Sequence, residues 1–138
     1  MKMLNVLIVD DSLIIRKKLT KLVEKLGHTV IYGAKDGQEA IDTYAAKKEI
    51  DLITMDITMP DMDGITAVKH IIKGDSEAKV IMITSHGQED MVIKSIQAGA
   101  VGYMLKPITE EKLAVSIGEV FPEYEVEDEG DDILDEEF

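Results

Sequence analysis

Apolar residues along this chain fall into short β-branched runs separated by stretches of helical period. Leu4 to Val9, Thr29 to Ala34, Asp51 to Asp56, Lys79 to Thr84 and Gly102 to Lys106 read as five strands. Ile15, Leu19, Leu22, Val23 and Leu26 follow Ser12 at helical spacing, so Ser12 can cap a helix and Gly27 can supply the left-handed residue that stops it. Asp36-Gly37-Gln38-Glu39 places an acid at the cap and Glu three residues on, and starts a second helix through about Lys48. Pro60 makes the following segment a loop, Asp63 caps a helix around Ile65 to Lys73, and Gly64 permits a tight turn. Glu89 to about Ala98 reads as the fourth helix, and Thr109 with Glu110 and Glu111 opens a fifth that ends near Phe121-Pro122.

Five βα units predict an α/β doubly wound sheet in a three-layer sandwich. Parallel strands need right-handed crossovers and are buried on both faces. At 138 residues the chain suits a single core. The expected organisation is a body over 1–122 and an acidic C-terminal tail over 123–138.

Charge sharpens that division. Of 28 acids, ten fall in 123–138, which holds no base, so the body carries 18 acids against 15 bases. That balance disfavours direct nucleic-acid binding, which relies on clustered Lys and Arg. No apolar run reaches the length of a membrane span, no signal peptide precedes the first strand, and there is no cysteine for a disulfide or thiolate site. A cytoplasmic location is expected. Acidic self-repulsion predicts a solvated tail, yet Ile133, Leu134 and Phe138 are apolar, which suggests packing on a signalling surface, with Lys94 or Lys112 as electrostatic partners.

Four of the strands end on reactive polar residues: Asp10-Asp11, Asp56, Thr84 and Lys106. In a parallel sheet the carboxyl ends of the strands share one crevice, so these distant groups converge. Three carboxylates that repel one another call for a divalent cation, and an all-oxygen donor set suits Mg2+ better than Zn2+. Placing Gly64 sixth in a calcium-loop template puts Met59 first and His70 twelfth, and both ends fail. His28, His70 and His86 share no metal-ligand spacing.

Val9-Asp10-Asp11-Ser12, Asp56-Ile57-Thr58-Met59-Pro60-Asp61-Met62-Asp63-Gly64, Ile83-Thr84-Ser85 and Tyr103-Met104-Leu105-Lys106-Pro107 together resemble the receiver domain of bacterial two-component response regulators, of the stand-alone chemotaxis type. The likeness runs from about residue 4 to 121. It implies a flavodoxin-like sheet of strand order 2-1-3-4-5. It also implies Asp56 as the phosphorylated nucleophile, Asp10, Asp11, Asp56 and the Thr58 carbonyl as Mg2+ ligands, and Lys106 as the partner of the phosphoryl group. Thr84 and Tyr103 would form the switch, Thr58 and His86 would tune the phosphoryl lifetime, and the Lys106–Pro107 bond would be cis. The partners implied are a histidine kinase as phosphodonor, a phosphatase, and a protein target, such as a flagellar motor switch, on the surface of the fourth helix, fifth strand and fifth helix. Val92, Ile96, Tyr103 and Leu105 are candidates for contact on that surface. The expected role is therefore a phospho-acceptor in signal transduction rather than an enzyme on free substrates. The rivals are an intermediate in a multistep phosphorelay and a Mg2+-dependent phosphatase. Phosphatases of the haloacid dehalogenase type usually carry a second aspartate two residues after a first-strand nucleophile, where this chain has Ser12.

Overall fold

The computed structural model describes residues 3–85 and 87–122. The expectations for His86 and for the tail over 123–138 lie outside the described residues. The elements are β1 (Asn5–Val9), α1 (Leu13–Lys25), β2 (Thr29–Ala34), α2 (Gly37–Ala46), β3 (Leu52–Met55), α3 (Gly64–Gly74), β4 (Val80–Thr84), α4 (Glu89–Ala98), β5 (Gly102–Leu105) and α5 (Glu110–Val120). No helix among them is long and apolar enough to cross a membrane.

Side-chain caps start four of the five helices where the sequence placed them, and α4 begins after Gln88 without one. Ser12 accepts from the Ile15 N–H, Asp36 from Glu39, Asp63 from Thr66 and Thr109 from Lys112. Each satisfies a backbone donor that the first turn leaves without a partner. Glu39 departs from the capping box: its carboxylate reaches past Asp36 to accept from the Lys35 N–H and the Tyr32 hydroxyl. α2 ends at Ala46, two residues before the expected stop, where Lys47 takes an extended conformation. Gly27, at φ 92°, and Gly99, at φ 115°, supply the left-handed residues after α1 and α4.

All four strand pairings are parallel, in the order β2-β1-β3-β4-β5. The order reverses between β1 and β3, so the crevice opens at their carboxyl ends. Alternate strand residues feed two cores. Leu7, Val9, Ile53, Met55, Val80 and Met82 pack with α2, α3 and the inner side of α4. Val6, Ile8, Leu52, Ile81 and Ile83 pack with Leu19 and Val23 of α1 and Leu113 and Ile117 of α5. Burying such a side chain fully is worth about 1.5–3 kcal/mol, so two apolar faces on one sheet hold its carboxyl edge rigid.

Thr54 breaks this pattern. It sits between Ile8 and Ile81 in register, 1 % exposed, and its Oγ1 is the buried side-chain polar atom without a hydrogen-bond partner among the described residues. A stranded hydroxyl forfeits hydration that valine, of nearly the same shape, never had. Thr54→Val is expected to raise the free energy of unfolding by about 1 kcal/mol in urea titration. A lower urea midpoint would show that the hydroxyl has a partner in solution.

Candidate functional site

Asp10 follows β1 directly, Asp56 follows β3, Lys106 follows β5, and Thr84 is the last residue of β4. Parallel pairing brings these ends together. The Asp56 N–H donates to the Val9 carbonyl and the Lys106 N–H to the Thr84 carbonyl, at 2.9 and 2.8 Å. Side chains separated by up to 96 positions therefore meet, as the strand-end argument expects. Lys106 Nζ lies 2.9 Å from Asp10 Oδ2 and 3.6 Å from Asp56 Oδ1. Carboxylate oxygens of Asp10, Asp11 and Asp56 fall within 4.8 Å of one another.

Asp10 and Asp56 are buried, and Asp11 is exposed at the rim. Asp10 is locked in place: Oδ1 accepts from the Ser12 N–H, and Arg16 Nη1 donates to its carbonyl oxygen at 2.7 Å. Burial first, and then the charge of Asp10, push the Asp56 carboxyl up to about 6, against the opposing pull of Lys106. Burial alone would lower the Lys106 ammonium. The hydrogen bond to Asp10 and the charge of Asp56 outweigh it, so its pKa stays raised and the cation is secure. Lys106 was expected to await an incoming phosphoryl group, and in this structure it bridges the two buried acids.

The remaining expected site residues occupy distinct places. Thr58 is exposed on the loop after β3, and Thr84 is fully buried. Tyr103 pairs in register with Met82, two residues before Thr84, so it lies on the same face of the sheet as that hydroxyl. It packs half-buried against the core under α4. Burial, and then the charge of Asp90, raise its phenol. The Lys106–Pro107 peptide is cis.

Two features escaped sequence reasoning. Gly64 is not the residue that turns the chain backwards; in the loop before α3 that residue is Asp61, at φ 70°. A Cβ on Gly64 would instead strike the carbonyl oxygen of Asp56, because its N–H donates to the Ile57 carbonyl at 2.7 Å. Glycine before a helix reads the same in sequence whether it serves dihedral freedom or close approach. The second feature is surface. Leu105 and Ile96 are exposed as expected, but Ile93, Val101 and Val115 are exposed with them. The helical period of α4 and α5 carries apolar residues on more than one side, so sequence alone did not separate core from patch.

The fit to Mg2+ rests on the donor set. Three carboxylates crowd at one edge, one has a pKa raised by burial and by its acidic neighbour, and among the described residues no nitrogen or sulfur donor joins them in the cluster. A hard divalent cation relieves that repulsion.

Fold and site together define a phospho-acceptor signalling domain: a doubly wound sheet whose switch-point crevice holds a buried, cation-flanked aspartate. The chain belongs to the response regulator receiver domain family, whose model matches residues 6–118. It is 42 % identical over 115 residues to the chemotaxis protein CheY of Thermotoga maritima, covering 83 % of this chain and 95 % of that one. It is likewise 42 % identical over 112 residues to CheY of Bacillus subtilis, covering 81 % and 92 %. Among solved structures, the CheX-CheY-BeF3-Mg2+ complex from Borrelia burgdorferi matches at a TM-score of 0.83 and 41 % identity, over 86 % of this chain and 89 % of that one. The protein is a CheY-like receiver in two-component signalling.

Proposed function

We propose that the chain takes a phosphoryl group from a histidine kinase onto Asp56 and carries that signal to a chemotaxis-type protein target. The observation that supports it most directly is the Lys106 ammonium, held between Asp10 at 2.9 Å and Asp56 at 3.6 Å in a crevice of three carboxylates. A carboxylate oxygen of Asp56 attacks phosphorus as the phosphorus–nitrogen bond to the donor imidazole breaks, giving an acyl phosphate and a free imidazole that takes up a proton. Lys106 neutralises charge on the transferred oxygens, and its bridge to Asp10 fixes where the ammonium sits before transfer. Asp10, Asp11, Asp56 and the Thr58 carbonyl would hold Mg2+, which supplies further positive charge to those oxygens. Water attack on the acyl phosphate restores the aspartate, so the chain turns over its own phosphate and no free substrate.

Phosphorylation takes the site from one negative charge to about two and adds acceptor oxygens. Thr84 turns its hydroxyl toward them and Tyr103, on the same face, moves inward, which changes the apolar surface of Ile96 and Leu105 beside it. The chemotaxis relatives, and the relative solved in complex with CheX, support a protein partner for this chain. Residues 1–122 form the receiver unit in this reading, and 123–138 an acidic tail.

Treatment with a small acyl-phosphate donor and Mg2+ is expected to strengthen capture of a flagellar motor-switch peptide by about 5–150-fold, the usual range of such coupling. Unchanged capture, with phosphate instead passed on to a second histidine-bearing protein, would replace this target with a relay.

A further inference from the structure

A groove between α2 and α3, away from the acidic crevice, has no role in the chemistry above. It encloses about 380 Å³ and has an apolar floor of Ile41, Tyr44 and Ile71, with Lys47, Lys48 and His70 at its sides. Asp75 is the acid among its lining residues, and it is already engaged: it accepts from the Tyr44 hydroxyl at 2.6 Å and from the Glu77 N–H at 3.0 Å. Asp51, at the same end of the molecule, accepts from the Asn5 N–H. α3 adds exposed Lys69 and Lys73 and no acid, while the acids of α2 are engaged, Glu39 by the Tyr32 hydroxyl and the Lys35 N–H and Asp42 by the Gln38 amide.

In a chain with 28 acids such a face is unusual, and the same chain supplies a segment that matches it. Residues 123–138 contain ten acids and no base, with Ile133, Leu134 and Phe138 among them. The groove on the opposite side of the molecule suits that segment less well. It is lined by Glu111 and Glu119 against Lys112, whose ammonium already donates to the Leu105 and Pro107 carbonyls. α4 beside it adds Glu89 and Asp90 against Lys94.

We propose that residues 131–138 dock intramolecularly into the α2–α3 groove, Ile133 and Leu134 on its apolar floor and the flanking acids on Lys47, Lys48 and His70. The reach is sufficient. Helices that return between parallel strands run opposite to them, so α2, α3 and α5 all finish at the sheet edge away from the acidic crevice. Eleven residues from Pro122 to Ile133 span up to roughly 36 Å, against about 28 Å for a path that passes from the α5 face to the α2–α3 face, about 20 Å through the two helix layers and about 19 Å across five strands at about 4.8 Å spacing. A tether of this length gives a local concentration on the order of millimolar, so even a millimolar affinity leaves the groove about half filled. Docking here leaves both the phosphoryl crevice and the α4–β5–α5 surface open.

The chain has no cysteine, so Gly130→Cys gives the full-length protein one attachment point for a nitroxide. With a ¹⁵N-labelled chain, the amides of Ile41 to Lys48 and His70 to Asp75 are expected to lose most of their intensity. The loss should be reversed in 1 M salt, where charge is screened beyond about 3 Å. It should also be reversed by Lys47→Glu with Lys48→Glu. Broadening centred on α4, β5 and α5, broadening spread over the whole surface, or none would overturn the assignment. So would broadening that persists undiminished when the spin label and the ¹⁵N label are carried on separate molecules, since that outcome marks contact between copies. Each readout is independent of whether Asp56 accepts phosphate.

Discussion

Asp56→Asn is expected to incorporate no phosphate from a small acyl-phosphate donor under conditions that label the unaltered protein stoichiometrically. The amide cannot form the acyl phosphate, and neither Asp10 nor Asp11 replaces the lost nucleophile. Asp10 is committed to the Ser12 N–H and to Lys106, and Asp11 is out at the rim. The same substitution is expected to make the Mg2+-free protein more stable. Burial and Asp10 raise the Asp56 carboxyl to about 6 in the fold, from an ordinary value of 3.8. A carboxyl raised on folding opposes the fold wherever it is ionised there, so its cost is full above about pH 6 and vanishes as pH falls below 3.8. Removing the charge should therefore add on the order of 1–3 kcal/mol at pH 7 in urea titration, with the advantage shrinking between pH 6 and 4. Saturating Mg2+ offsets that advantage, because a cation at about a hundred times its dissociation constant stabilises the intact carboxylate site by about 2.7 kcal/mol. Equal labelling of the variant, or a variant less stable than the parent without Mg2+, would remove Asp56 from the centre of the site.

Gly64→Ala is expected to damage fold and chemistry together. The new methyl would meet the Asp56 carbonyl oxygen, with the Asp56 carbonyl carbon at 2.9 Å and the Ile57 Cα at 3.0 Å. These are backbone atoms at the buried end of β3, so no side-chain rotation clears the space. Overpacking of this kind costs about 1–3 kcal/mol, read as a lower urea midpoint. The clash falls on the residue that carries the nucleophile, and a shift of about 1 Å in a reacting group slows its reaction by roughly a hundredfold. Labelling by the small donor should slow to that degree. Gly74→Ala is the control: it closes the same helix with nothing within 4 Å of an added Cβ. Ala favours a helix over Gly, so propensity gives no loss at either end, and matching losses in the two variants would mean that the approach to Asp56 does not govern position 64.

Particular residues show how much of this was legible beforehand. Ser12, Asp36, Asp63 and Thr109 were readable as caps because each side chain bonds a backbone N–H three residues on, a partner that adjacent sequence guarantees. Asp10, Asp56, Thr84 and Lys106 were readable as neighbours because parallel strands deliver their carboxyl ends to one edge. The 2-1-3-4-5 order came only through family resemblance. The dual exposure of α4 and the true role of Gly64 did not come at all. Each depends on what lies across the gap from a residue, and a one-dimensional pattern does not contain its far side.

The sequence by itself determined where strands and helices begin, which polar residues close the strands, and that charge is concentrated in the last sixteen positions. Periodicity, capping and repulsion act over a few residues, and so are written locally. Only the tertiary structure decided that Lys106 bridges Asp10 and Asp56, that burial lifts one carboxyl to about 6, that Thr54 hides a hydroxyl without a partner among the described residues, and that a lysine-flanked groove opens between α2 and α3. Those properties are sums over desolvation and contacts between elements up to 96 positions apart, so they exist only once the layers have packed.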